Sequence, residues 1–132
     1  CRLGVITVEG GEQVRSHIHM RDLCDFYRLL LKTRTDIIDK QAFNVVAQNQ
    51  KVIDTALVVA RVVGSPGMIK VVPRVDDRSY AVDGTKAQEM LGFMPRRSIE
   101  QAVRELKVRF DAGYWPDSLT NSIYQNVANG LV

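Results

Sequence analysis

The sequence predicts an α/β fold, a small mixed or parallel sheet with flanking helices. Short apolar, β-branched runs recur at Leu3–Val8, Ala42–Ala47 and Met68–Pro73, each bounded by turn residues. Amphipathic helical patterns lie between and after them. From Ala42 to Pro73 the order is strand, helix, strand, the spacing of a right-handed βαβ unit, so those two strands are expected to be parallel.

The chain has 132 residues, 45% of them hydrophobic and 25% charged. That is one domain's worth, long enough to bury a core without disulfides or metals. The net charge is +3, but Lys and Arg are dispersed among acids, and no basic stripe with interleaved aromatics points to nucleic acid. Two cysteines, Cys1 and Cys24, make no disulfide framework; Cys24 falls in an apolar helical pattern and reads as a buried thiol in a reducing compartment. No apolar run reaches the length of a membrane span and no signal peptide is visible, so the cytoplasm is the expected location. The chain opens on Cys1 with a strand pattern at once, which suggests a piece of a longer protein.

In order, Leu3–Val8 reads as a strand closed by the Gly10-Gly11 turn. Val14–Met20 partly alternates, with Val14, Ser16, Ile18 and Met20 on one side and Arg15, His17 and His19 on the other. Asp22 fits a helix N-cap, and Leu23, Phe26, Tyr27, Leu30 and Leu31 form the stripe of the helix behind it. Thr33–Gln41 is polar and reads as a loop. Asn49 can cap the next helix, with the stripe Val52, Ile53, Ala56, Val59, Ala60 and Val63; Gly64 ends it. Arg78–Val82 is a short extended piece. Asp83 can cap a small helix through Leu91, closed by Gly92 with Phe93 as the apolar contact beyond. Ser98 and Gln101 match a capping box, and Ile99, Ala102, Val103, Leu106 and Phe110 supply the last stripe. Residues 1–115 are read as the folded piece and 116–132 as a partly ordered tail.

Arg15 and Arg78 are the candidate binding residues. A guanidinium offers a planar fork of donors suited to phosphate oxygens, and Arg78 follows a parallel strand, where ligands of α/β folds collect. The bland alternative is that both are solvated, or that each pairs with a neighbouring acid, Asp76 or Asp77 in the case of Arg78. His17 and His19 share a strand face as His-x-His does in some metal sites, yet strand or core histidines explain them as well. Asp83 and Tyr80 have structural readings, a helix cap and a half-buried strand residue. No Walker loop, nucleophile elbow or GxGxxG occurs. No tyrosine is followed four residues on by lysine, since Tyr27, Tyr80, Tyr114 and Tyr124 lead to Leu31, Gly84, Ser118 and Ala128. No catalytic residue is assigned.

Several runs resemble one family when taken together. Gly11-Glu12-Gln13-Val14-Arg15-Ser16-His17-Ile18-His19-Met20-Arg21-Asp22 is similar to the G-x-x-x-R-x-x-x-H-V-x-D run of the extended short-chain dehydrogenase/reductases, the NAD-dependent nucleotide-sugar epimerases and dehydratases, with Met20 for the usual Val. Phe43-Asn44-Val45 resembles its Y/F-N-V/I strand. Asp77-Arg78-Ser79-Tyr80-Ala81-Val82-Asp83, Lys86-Ala87 and Leu91-Gly92-Phe93-Met94-Pro95 resemble its D-x-R…D-x-x-K-A…L-G-F/W-x-P tail, and Ser98–Val103 continues it.

The likeness covers about Leu3 to Trp115. It implies the C-terminal, substrate-binding part of such an enzyme, with Arg15 and Arg78 on the diphosphate of a nucleotide-sugar. NAD and the catalytic Ser/Thr-Tyr-Lys groups would belong to an N-terminal Rossmann half absent from this sequence, so no cofactor is expected on this piece and it is expected to be inactive alone. Ile18, Met20 and the helix after Asp22 would pack on the strands of that half, or against a second copy. The rival reading is a non-catalytic interaction or regulatory module with the same fold.

Overall fold

The computed structural model describes residues 4–65, 68–74 and 78–124. Cys1, Leu3 of the Leu3–Val8 run, Asp76, Asp77 and the tail from 125 lie outside the described residues. Strand β1 (Ile6–Glu9) pairs in parallel with β4 (Ile69–Val72), Val8 opposite Val71. Strand β2 (Val14–His17) pairs antiparallel with β3 (Gln48–Lys51), Arg15 opposite Gln50. The expected α/β class is therefore present, as one parallel and one antiparallel two-stranded sheet with helices around them.

The parallel pairing is real, but its partners differ from the expected ones. Ala42–Ala47 forms no strand, and β4 joins β1 instead. The polar segment Gln48–Lys51 is extended because the edge of β2 offers it a ladder; β-structure follows pairing and burial more than intrinsic preference. Asn49 therefore sits in a strand, and helix α3 (Val52–Val63) starts after Lys51 without a side-chain cap. Its Ala56 and Ala60 are buried, and the helix contacts β1, β3, β4 and α5 (Ile99–Asp111). It closes at Gly64 as expected.

Helix α1 (Met20–Leu30) is capped by His19, whose Nδ1 accepts from the Arg21 N–H at 3.1 Å, and not by Asp22. Phe26 is its buried anchor; Tyr27 and Leu31, expected in the stripe, are exposed, Leu31 to 87%. Cys24 is exposed too, so the buried-thiol expectation fails. The Thr33–Gln41 loop contains one helical turn, α2 (Thr35–Ile38). Helix α4 (Thr85–Leu91) starts behind Asp83, whose carboxylate accepts from the Thr85 N–H at 2.9 Å, and ends at Gly92 with φ 65°. That conformation suits glycine and turns Phe93 inward.

The main core is Phe26, Ala87 and Phe93, with Ile18, Leu29, Leu30, Phe43, Val45 and Leu91 against it. Phe26 lies edge-on to Phe93 at 5.0 Å and to Phe43 at 6.2 Å, the favoured geometry for aromatic pairs. Ile18 thus packs on this chain's own core, contrary to expectation, while Met20 stays exposed. The Ser98–Gln101 capping box forms in full at the start of α5. Beyond it, turns and a 3-10 turn at Ser122–Tyr124 carry the chain on, with Trp115 edge-on to Phe110 at 5.0 Å. No helix of the described residues is long and apolar enough to cross a membrane.

Candidate functional site

Arg15 projects from the middle of β2, and the irregular segment 78–84 runs beside that strand. Side chains stitch the two together. Ser79 Oγ accepts from the Val14 N–H at 3.0 Å, and the Tyr80 N–H donates to the Val14 carbonyl at 3.3 Å. Further along, the Val82 N–H donates to Ser16 Oγ at 3.1 Å and to Asn49 Oδ1 at 3.0 Å, while Asn49 Nδ2 donates back to the Val82 carbonyl at 3.0 Å. Segment 78–82 was expected to be extended; it has no regular ladder, and these side chains replace one.

The stitching brings the Arg15 side chain to the backbone of Arg78. Arg15 Nη1 donates to the Arg78 carbonyl and, at 2.9 Å, to the Val14 carbonyl. The Arg15 guanidinium carbon lies 5.3 Å from the centre of the Tyr80 ring, a cation–π distance. Arg15 is half-buried; Arg78 and Tyr80 are exposed, so Tyr80 is not the half-buried strand residue expected. Two carbonyls and an aromatic face fix the plane of a delocalised cation, which reduces the entropy lost when that cation meets an anion.

Beside Arg15 on the same face of β2 stands His17, with Gln50 and Gln48 across the ladder. His17 Nε2 lies 3.4 Å from Thr55 Oγ1, and burial holds this imidazole below its ordinary pKa. His19 has turned away to cap α1, with Nε2 3.7 Å from Glu105 on α5. The His-x-His pattern therefore does not converge, and no group of three metal-ligating side chains is found among the described residues.

No protein-family model matches the chain, and no curated protein matches it in sequence. Solved structures do match. A UDP-glucose 4-epimerase from Thermotoga maritima, determined with UDP-glucose, aligns at a TM-score of 0.71 over 85% of this chain and 37% of its own, with 22% identity. A dTDP-glucose 4,6-dehydratase from Bacillus anthracis, in complex with NAD, aligns at 0.66 over 84% of this chain and 36% of its own, with 19% identity. The fold is that of the extended short-chain dehydrogenase/reductases. An L-threonine dehydrogenase from Phytophthora infestans has it as well, at a TM-score of 0.67 over 83% of this chain and 38% of its own, with 15% identity. The chain spans little more than a third of each of these structures.

Within this short-chain dehydrogenase/reductase fold, the Arg15–Asp22 run divides into a binding candidate and two scaffold residues. His19 caps α1. Asp22, 2% exposed, accepts from the Arg96 N–H at 3.1 Å, the Arg97 N–H at 2.9 Å and Arg97 Nη1 at 2.5 Å, tying the connection before α5 to α1. The same Arg97 nitrogen reaches Asp25 at 2.9 Å and holds that carboxyl below the usual carboxylate range. Sequence reading missed Arg97, and it gave Tyr80, Ser16 and Asn49 other roles: a half-buried strand residue, one face of a strand and a helix cap. The available signals were Arg96-Arg97 directly after Pro95 and Ser16 beside Arg15 in an alternating strand.

Proposed function

We propose that this chain is the part of an NAD-dependent nucleotide-sugar epimerase or dehydratase that anchors the substrate's diphosphate, with Arg15 and Arg78 as the anchoring residues. The observation that carries the reading is Arg15 held against the Arg78 backbone and over the Tyr80 ring. The Arg15 guanidinium thus meets the backbone of a residue more than sixty positions away, and charge-assisted hydrogen bonds from each of the two arginines to a diphosphate would contribute about 1.5–3 kcal/mol. UDP-glucose and NAD in structures of this fold support the substrate class and the cofactor. The L-threonine dehydrogenase shows that fold alone does not choose the substrate, so the arginine pair has to.

In the whole enzyme, NAD held by residues outside this chain would supply reversible oxidation of a sugar carbinol to a ketone, the hydride coming from the carbon and the hydroxyl proton going to a base, so that inversion or elimination becomes possible. The present residues would hold the nucleoside diphosphate and turn the sugar toward that centre, in a soluble cytoplasmic protein. Arg15→Ala or Arg78→Ala in the intact enzyme should raise KM for the nucleotide-sugar tenfold or more, about 1.4 kcal/mol, with a smaller change in kcat. Unchanged kinetics in both variants would remove the anchor. The rival reading is a non-catalytic module that keeps the fold. Calorimetry separates the two readings: heat with UDP-sugars supports the anchor, and heat with a protein partner alone supports the module.

A further inference from the structure

A second concave surface has no part in the reading above. It lies between α1 and the connection from α4 to α5, with a volume of ≈ 460 Å³. Arg28, Lys32, Arg96 and Arg97 line it against two carboxylates, Asp22 and Asp25, an excess of two positive charges. Both carboxylates are engaged by Arg97, and Asp25 also by Arg28 at 3.8 Å. The side chains of Lys32 and Arg96 make no hydrogen bond or ion pair with any described residue. The rest of the lining is apolar, from Leu29, Leu91, Phe93 and Met94, with Gly92 between them.

Like charges gathered around a concavity repel one another, and the repulsion is relieved by a bound anion. A lysine supplies a point charge and an arginine a flat fork, a pairing suited to phosphate oxygens. The volume is that of a small-molecule pocket, and the apolar lining accepts a carbon skeleton. We infer that this cleft is a separate site for a small organic phosphate, its phosphate held by Lys32 and Arg96 and its carbon part against Leu29 and Leu91. The inference stands independently of the nucleotide-sugar reading, because no residue is shared with Arg15 or Arg78.

Calorimetry of the full chain at low ionic strength, with phenyl phosphate and inorganic phosphate as probes, tests the assignment. Phenyl phosphate should bind, more tightly than inorganic phosphate, and more weakly as salt rises. The double variant Lys32→Ala/Arg96→Ala should weaken it roughly tenfold or more, while Arg15→Ala leaves it unchanged. Both replaced side chains are exposed, so the variant should keep the wild-type circular dichroism and melting temperature. No heat of binding, or loss on Arg15→Ala instead of the double variant, would overturn the site. Equal affinity for the two probes would overturn the organic ligand.

Discussion

A carboxylate as deeply buried as Asp22 persists only where donors surround it, and here three do. Its position in the first turn of α1 made it look like a cap, since Asp is a common N-cap residue. His19 occupies the cap instead, which leaves Asp22 to bind the backbone of a segment more than seventy residues away. Such a link is invisible in a local pattern because nothing near Asp22 in sequence receives it. Asp22→Ala should destabilise the protein by about 2–4 kcal/mol in denaturant unfolding, because it strands two N–H groups and takes from Arg97 one of its two carboxylate partners. A loss below about 1 kcal/mol would show that water replaces the carboxylate. Arg15 is the opposite case. Its importance was suggested by residue type and family likeness, and the structure adds its contacts with Tyr80 and the Arg78 carbonyl.

Among the elements, those governed by local rules were legible in the sequence. The capping box at Ser98, the glycine stop at Gly92 and the alanine-bearing face of α3 all depend on residues within a few positions of one another. Ser98→Ala should cost about 1 kcal/mol of stability by chemical denaturation, with the Gln101 N–H losing its acceptor. The strands were less legible. Ala42–Ala47 has the composition of a strand and is not one, whereas Gln48–Lys51 lacks that composition and is one. Pairing with β2 decides the matter, and so do the Ser16 and Asn49 side chains that gather three segments at one place. The contact of Arg15 with the Arg78 backbone depends on this same stitching, so the residue types were readable while the contact between them was not.

For the molecule as a whole, few large side chains are buried among the described residues, and many apolar ones are exposed. An apolar groove of ≈ 860 Å³ runs between α3, α5 and the turns after them, with Val59, Val103, Leu106 and Phe110 on its walls. A dye such as ANS should bind there with enhanced emission, and Leu106→Glu should reduce that emission by half or more while preserving the helical circular dichroism. Dye emission unchanged by the substitution would locate the accessible apolar surface elsewhere. Trp115, the chain's single tryptophan, is seated in the same groove, edge-on to Phe110. Intrinsic ultraviolet emission consequently follows the far end of α5 and not the Phe26 cluster. A melt tracked by indole fluorescence and one tracked by ellipticity would then part company whenever that end loosens first, and two-state fits to the optical trace alone would understate how well the interior holds.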